Sequence, residues 1–109
     1  MREERKRRLE ARGWRFGTPA ELLGLSLEEE AYIEIRSRLA TGLKRRRIRR
    51  RMTQAELATV IRSSQSRVAK MEAADATVSV DLLLRALFAL GAKRRDIAVA
   101  IQKGQTAAA

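Results

Sequence analysis

The 109 residues fit a single domain, and a formal net charge of +11 on so small a chain favours a polyanionic partner. The sequence has no histidine and no cysteine, which excludes metal sites built on those residues and histidine-based acid–base chemistry; no metal or cofactor is expected. No stretch stays apolar for about 18 residues, so a membrane span is not expected, and the charged N-terminus lacks the apolar core of a secretory signal.

The chain opens with a basic segment. Residues 1–12 carry six basic and three acidic side chains, a pattern typical of either a solvated helix or a disordered basic arm. The loop that follows holds Trp14 and Phe16, which are expected to plug the base of the core more readily than to bind a ligand. We therefore treat residues 1–25 as an N-terminal extension.

This extension is predicted to end in a short helix. Thr18 and Glu21 have the spacing of a capping box, and Pro19 occupies the first helical position, where its missing N–H costs nothing. Gly24 is the expected left-handed stop.

A long helix is predicted from a second capping box at Ser26 to about Arg50, opening a domain over residues 26–103. Three glutamates in its first turn suit the positive end of the helix dipole. Gly42 weakens this helix, which suggests close packing at that position. Apolar residues recur every four positions and predict one continuous buried stripe. The stripe consists of Leu27, Ala31, Ile35, Leu39 and Leu43.

The long helix ends in a run, residues 44–51, in which seven of eight residues are basic. Cations stabilise a helix C-terminus, but seven exceed what capping requires. The excess fits contact with the phosphates of DNA. Nuclear localisation and binding to an anionic membrane surface are the other interpretations of such a run.

Residues 53–72 contain two short helical patterns separated by a turn of about three residues. Thr53 and Glu56 form a capping box for the first helix, and either Ser63 or Ser64 can cap the second. The second helix has a small apolar stripe, and its outward positions carry amide, hydroxyl and cationic groups without a carboxylate. This arrangement predicts a helix-turn-helix that reads the major groove. The outward residues are Gln65, Ser66, Arg67 and Lys70.

Two further helices complete the chain. Ser79 caps a helix that Gly91 ends, and a fifth helix runs from Lys93 to about Lys103. Residues 104–109 are expected to form a frayed tail. Because no alternating strand pattern occurs, the predicted fold is all-α.

From Met52 to Leu90 the sequence resembles the phage-repressor-like, or Xre, helix-turn-helix family. The shared pattern is T-Q-x-x-L-A from Thr53, then S-Q-S-x-V-x-x-M-E from Ser64, then a leucine-rich run ending at Gly91. Including residues 13–29, the chain is similar to a narrower subgroup, the HigA-type antitoxins that accompany RelE-like toxins. The resemblance implies a five-helix domain with one extra short helix, in a bacterial, cytoplasmic protein associated with the nucleoid.

The resemblance also implies roles for individual residues. A homodimer would bind a palindromic double-stranded operator, with the four outward residues of the second motif helix at the bases. Gln54 would touch a phosphate and support Gln65. The expected phosphate contacts are Thr53, Gln54, Arg62, Ser63, Ser64, Arg49, Arg50 and Arg51.

Two further expectations come from the residues themselves. The apolar run at the end of the fourth helix suggests a dimer interface at Leu87, Leu90, Gly91 and Ala92 together with the N-terminal segment. The charged N-terminal segment and its aromatic loop suggest toxin contacts at Trp14 and Phe16.

Two departures from the family bear on the geometry of the turns. Arg51 and Arg62 stand where the family commonly has glycine, so a left-handed backbone there would be mildly strained. Both side chains could also reach phosphates. Ala73 and Ala74 replace the usual Asn-Gly, which suggests that the second motif helix extends further.

The leading hypothesis is a sequence-specific repressor that also serves as an antitoxin on its own operon; the alternative is a free-standing or phage-type repressor. A rival is a helical bundle whose basic groups are merely solvated. An enzyme is not expected, because no nucleophile has an evident base and no glycine-rich phosphate loop occurs. RNA remains open through the arginine run, although four aromatic residues argue against a base-stacking platform.

Overall fold

A computed structural model describes Gly24 and residues 26–106 of the chain. Within these ranges it contains five helices and no strand, which confirms the all-α prediction. The helices are α1 (Leu27–Arg49), α2 (Gln54–Val60), α3 (Gln65–Glu72), α4 (Val80–Ala89) and α5 (Arg94–Thr106). In the same part of the chain, no helix is both long and apolar enough to cross a membrane.

The chain divides into two compact units, residues 1–33 and 34–109. The first unit holds the beginning of α1, and the second holds the rest of α1 and the other four helices. The predicted short helix from Thr18, the basic segment 1–12, and residues 107–109 of the predicted tail lie outside the described residues. Gly24 has a φ of 72°, the left-handed conformation expected of a helix-stopping glycine.

Both described capping boxes form as their spacing predicts. The backbone N–H of Glu29 donates to Ser26 Oγ at 3.0 Å, and the N–H of Ser26 donates to Glu29 Oε1 at 2.8 Å. The N–H of Glu56 donates to Thr53 Oγ1 at 3.0 Å, and the N–H of Thr53 donates to Glu56 Oε1 at 2.7 Å. Each box satisfies two backbone donors that a helix N-terminus would otherwise leave open.

Single serines begin the next two helices. Ser64, rather than Ser63, caps α3 by accepting a hydrogen bond from the N–H of Arg67 at 3.1 Å. Ser79 caps α4 in the same way, from the N–H of Leu82 at 3.1 Å. Such caps are typically worth about 1 kcal/mol each, so the starts of α2, α3 and α4 are all determined locally.

Helices α1 to α4 share one type of ending. Each is followed by a residue in the left-handed region, and the next N–H donates back to a carbonyl five residues earlier, as in a Schellman motif. The four left-handed residues are Arg51 (φ 57°), Arg62 (φ 57°), Ala74 (φ 55°) and Gly91 (φ 88°). The closing bonds run from Met52 N to Arg47 O (3.1 Å), Ser63 N to Ala58 O (2.8 Å), Asp75 N to Lys70 O (3.0 Å) and Ala92 N to Leu87 O (3.0 Å).

The suggested extension of α3 beyond Ala73 is wrong. The helix ends at Glu72, because Ala74 takes the left-handed conformation and donates its N–H to the carbonyl of Met71 at 3.2 Å. A left-handed backbone costs an L-residue roughly 1–2 kcal/mol relative to glycine. Arg51, Arg62 and Ala74 all bear this cost, as expected for the two arginines.

The core lies in the second unit and draws on its helices. In α1 the predicted stripe is fully buried at Leu39 and Leu43 and partly buried at Leu27 and Ile35. The prediction that it is continuous is wrong, since Ala31 is exposed. The largest side chains that are less than 2% exposed are Leu39, Leu43, Leu57, Val68, Met71, Leu83 and Leu90.

Helix α5 closes this core against α1. Ile97, Ala100 and Ile101 are partly buried against the core, and Arg38 Nη1 donates to the carbonyl oxygen of Ile101 at 2.7 Å. A Cβ atom on Gly42 would lie 3.2 Å from the Cβ of Ala100, tighter than ordinary van der Waals contact. Close packing therefore explains the glycine within α1.

Candidate nucleic-acid interface

Helices α2 and α3 pack against each other and present the N-terminal half of α3 outward. Val68 and Met71 are fully buried on the inner side of α3. The four residues predicted to read bases are all exposed: Gln65, Ser66, Arg67 and Lys70. The short turn between the helices, closed by the Ser63 N–H, keeps these groups next to the start of α2.

The predicted phosphate contacts at the two helix starts have hydroxyl groups with a free donor. Thr53 Oγ1 and Ser64 Oγ each accept a backbone N–H as a cap, and each is exposed. A hydroxyl that accepts through its oxygen still has its O–H to donate. Ser63 is half-buried beside them. The positive dipole end of α3 adds to the attraction of an anion at this edge.

The exposed arginines flank α2 at both ends. Arg49, Arg50 and Arg51 are exposed at the end of α1, and Arg62 is exposed in the turn after α2. The Arg50 guanidinium lies against Gly91, where a Cβ atom would be only 3.0 Å from Nη2, so it covers the end of α4. Arg51 and Arg62 have the left-handed conformation and lie in the two turns that border α2.

Two members of the basic run have structural roles that its composition did not reveal. Arg46 forms an ion pair with Asp96 at 3.5 Å. Arg47 binds Glu72 through two parallel hydrogen bonds, from Nε to Oε2 at 2.5 Å and from Nη2 to Oε1 at 3.0 Å. The basic run is thus partly a structural element of the domain and only partly available to a ligand.

The Arg47–Glu72 pair is largely buried, with side-chain exposures of 12% and 3%. Its hydrogen bonds to Glu72 raise the pKa of the Arg47 guanidinium above its ordinary value, and the nearby carboxylate charge adds to this against the opposing effect of burial. Arg47 Nη1 also donates to the carbonyl of Met52 at 2.7 Å. One guanidinium therefore joins α1, the turn before α2, and the end of α3.

Glu72 connects this buried pair to the exposed residues. Its Oε1 also accepts a hydrogen bond from Gln54 Nε2 at 3.1 Å. Gln54 Oε1 in turn accepts from Gln65 Nε2 at 2.7 Å. An unbroken hydrogen-bonded chain, Arg47–Glu72–Gln54–Gln65, thus runs from the domain interior to the first residue of α3.

Sequence reasoning did not single out Arg47 and Glu72. A signal was present, because Glu72 follows Val68 by four residues and so shares its buried side of α3. A carboxylate on such a face requires a partner. The partner could not be identified, because seven nearby cations were equivalent in sequence.

One acid borders the exposed cations of α3. Asp75 Oδ1 accepts from Thr77 Oγ1 at 2.6 Å and from the Thr77 N–H at 2.9 Å. These bonds lower the pKa of the Asp75 carboxyl, and the charges of Lys70 and Arg36 contribute in the same direction. Asp75 therefore stays ionised near Lys70 and reduces the positive field at the C-terminal end of α3.

The predicted dimer interface is wrong for three of its four residues. Leu87, Leu90 and Ala92 are 3%, 1% and 7% exposed, because they belong to the core of the same chain. Gly91 is exposed but lies against Arg50. The predicted toxin contacts Trp14 and Phe16 lie outside the described residues.

The chain is similar to a known family of domains. A family model described as a helix-turn-helix domain matches residues 38–100, more than half of the chain. The matched range begins within α1 and ends within α5, so it includes the whole α2–α3 pair. No curated protein and no solved structure matches the chain.

Replacing Glu72 by alanine should destabilise the domain by about 2–3 kcal/mol, because it leaves the largely buried Arg47 charge without its carboxylate partner. Urea unfolding followed by circular dichroism would measure the change in the free energy of unfolding. The control is Arg85→Ala, which breaks an ion pair with Asp81 in which both side chains are more than 70% exposed. That variant should change the free energy of unfolding by less than about 1 kcal/mol; equal losses in both variants would contradict a special role for the buried pair.

Proposed function

We propose that this chain, which belongs to the helix-turn-helix domain family, is a transcriptional repressor that reads one double-stranded DNA sequence through the exposed face of α3. The family assignment makes the protein a DNA-binding regulator, and domains of this family are typically non-enzymatic. Beyond that assignment, we propose that α3 contacts the bases, that binding is sequence-specific, and that it represses transcription.

The observation that carries the proposal is the division of α3 into two chemically distinct faces. Val68 and Met71 anchor the helix with no exposed surface, while its first three residues and Lys70 are exposed. Amide and guanidinium groups are those that discriminate base pairs in the major groove, since glutamine matches adenine and arginine or lysine matches guanine. No carboxylate occurs among the exposed residues of α3, so nothing on that face repels phosphate.

The charges around this face support a DNA backbone partner. Arg49, Arg51 and Arg62 are exposed at the two ends of α2, beside the hydroxyls of Thr53 and Ser64. Phosphate contacts fix the register of a protein on the duplex and make its affinity fall with salt. The two classes of residue therefore have different tasks: the cations hold the helix in place, and α3 reads the sequence.

We further propose that two copies bind one palindromic operator. A single small module contacts only a few base pairs, and a symmetric pair of modules doubles the reading surface. The interface must use exposed residues rather than the buried Leu87, Leu90 and Ala92. On α4 the large apolar side chain that is exposed is Phe88, at 48%.

A second candidate is neutralisation of a RelE-like toxin, supported by the similarity of residues 13–29 to HigA-type antitoxins. The two functions are compatible, because such an antitoxin represses its own operon. If this candidate is correct, the tagged full-length chain expressed with the product of the adjacent gene should purify with it as a stoichiometric complex. Purification of the chain alone, with intact operator binding, would instead support a free-standing or phage-type repressor.

Binding to a duplex from its own promoter region should exceed binding to a scrambled duplex by roughly a thousandfold at about 0.15 M salt. Arg67→Ala should reduce the affinity for the operator by about 1–3 kcal/mol and relax the preference at one base pair, because alanine cannot hydrogen-bond to a base. Titrations against the operator and its single-base variants would measure both effects.

Arg85→Ala is the control for the loss of one positive charge, since Arg85 lies on α4 in a solvent-exposed ion pair. It should leave base preference unchanged. If Arg67→Ala weakens binding equally on every duplex, Arg67 binds a phosphate rather than a base. Equal weak binding of the unaltered protein to both duplexes would contradict sequence-specific reading altogether.

Replacing Arg51 or Arg62 by glycine should stabilise the fold and weaken DNA binding. Glycine relieves the left-handed strain of roughly 1–2 kcal/mol but makes the unfolded chain more flexible, so a net gain of about 0.5–1 kcal/mol is expected. Removing each phosphate-binding cation should lower the slope of log affinity against log salt by about 1. Thermal unfolding and salt titrations would measure the two effects.

Ala74→Gly is the matched control, because Ala74 has the same left-handed backbone and carries no charge. It should gain stability without a change in DNA affinity, and the gain should be smaller because the Ala74 methyl group is partly buried against the core. Unchanged DNA affinity in both arginine variants would show that neither arginine binds a phosphate. A gain in stability for Ala74→Gly alone would indicate that the arginine side chains stabilise the fold.

A further inference from the structure

We infer that the buried Arg47–Glu72 pair positions the base-reading residue: it fixes the orientation of the Gln54 amide and, through it, the hydrogen-bonding pattern that Gln65 offers at the exposed start of α3. Neither Arg47 nor Glu72 faces the proposed DNA surface, so both are positioning residues. The inference rests on the proposed function and identifies which residues set its specificity.

Glu72 acts only as a hydrogen-bond acceptor. An ionised carboxylate can only accept hydrogen bonds. Both of its oxygens are held by the Arg47 guanidinium, at 2.5 and 3.0 Å, and the side chain is 3% exposed. Arg47 is itself anchored by its bond to the Met52 carbonyl at 2.7 Å. The acceptor therefore has a fixed position, and little water can replace it.

The Gln54 amide takes its orientation from Glu72. Its amide meets Glu72 Oε1 with Nε2 at 3.1 Å, because the reverse orientation would set two acceptors against each other. Its Oε1 must then face Gln65, where it accepts from Nε2 at 2.7 Å. Reversal of the Gln54 amide would also bring two amide NH₂ groups together. Both hydrogen bonds of Gln54 thus favour the same orientation.

The Gln65 amide keeps one donor and one acceptor for a base. With one N–H of Nε2 bound to Gln54, its amide presents one acceptor, Oε1, and one remaining N–H donor. One donor and one acceptor match the N7 and N6 groups of adenine, whereas guanine presents two acceptors there. Glu72 therefore determines, two hydrogen bonds away, which purine Gln65 can pair with.

The test begins with the operator found by in vitro selection from a randomised duplex library. The base pair read by Gln65 is the one at which Gln65→Ala abolishes the preference. Gln54→Met then removes both hydrogen bonds of the linking amide while it leaves the Arg47–Glu72 pair intact and the net charge unchanged. Affinities for duplexes that differ only at that base pair are measured for each variant.

The unaltered protein should prefer one purine at that base pair by roughly ten- to a hundredfold, and Gln54→Met should reduce this preference to nearly none. It should leave the preference at the base pair read by Arg67 as it is. If Gln54 also binds a phosphate, the loss of that contact lowers the affinity for all duplexes by the same factor. It therefore contributes nothing to the change in purine preference. Combining Gln54→Met with Gln65→Ala should not reduce the preference at that base pair any further.

Glu72→Gln tests the carboxylate itself. The neutral amide has one acceptor oxygen where the carboxylate has two, and in either orientation its NH₂ opposes an Arg47 N–H, at Nε or at Nη2. The hold on Gln54 should therefore weaken, and the purine preference should fall by less than in Gln54→Met. Circular dichroism shows whether this variant folds, and the Gln54→Met result stands if it does not.

The outcomes separate the inference from the function on which it rests. If Gln65→Ala relaxes one base pair and Gln54→Met leaves that preference intact, the positioning role is overturned while the proposed function stands. If no base pair depends on Gln65, the inference fails at its last step. If the unaltered protein prefers no duplex at all, the proposed function fails and takes the inference with it.

Discussion

The two parallel hydrogen bonds between Arg47 and Glu72 join α1 to the end of α3, the helix that we propose reads DNA. Glu72 Oε1 also accepts a hydrogen bond from Gln54, so the same carboxylate contacts the start of α2. A buried ion pair is weak evidence for stability, since desolvation offsets much of its attraction. Its larger effect is on orientation. Hydrogen bonds constrain the directions of the groups they join, whereas the hydrophobic effect depends on the apolar area buried and not on direction. Leu57, Val68 and Met71 hold α2 and α3 together, and the polar contacts fix how the exposed amides are oriented.

The local features of the fold were predictable because they depend on residues close in sequence. Ser26, Thr53 and Ser79 cap helices since their side chains reach an N–H three residues on, whatever the rest of the chain does. The left-handed backbone at Arg51 and Arg62 was expected from the glycine usual at those positions. The exposed face of α3 was likewise predicted from Val68 and Met71, the only apolar residues there larger than alanine.

What the sequence could not predict depends on contacts between distant segments. Arg47 and Glu72 are 25 positions apart. From the sequence alone, any of several neighbouring arginines could have been the ion-pair partner of Glu72. Leu87 and Leu90 are apolar, which suits either a dimer interface or the core of the chain. The structure buries both in the core. Ala31 continued the periodic stripe of α1 in sequence, yet it is exposed. Periodicity predicts which side of a helix is apolar and does not predict where its packing partner ends.

The left-handed backbone at Arg51 and Arg62 is not by itself evidence of function. Strain at a backbone position is often a mark of function, but Ala74 is strained to the same extent as Arg51 and Arg62 and has no group that could bind a ligand. Strain therefore indicates only that the turn geometry is retained whatever residue occupies it. The chemical difference lies in the side chains. Glycine would relieve the strain in both turns, whereas arginine supplies an exposed cation at each end of α2, next to the helix that we propose reads the base pairs. Because the Cβ atom that strains each turn also carries the guanidinium, selection for DNA binding would retain a residue that selection for stability alone would replace.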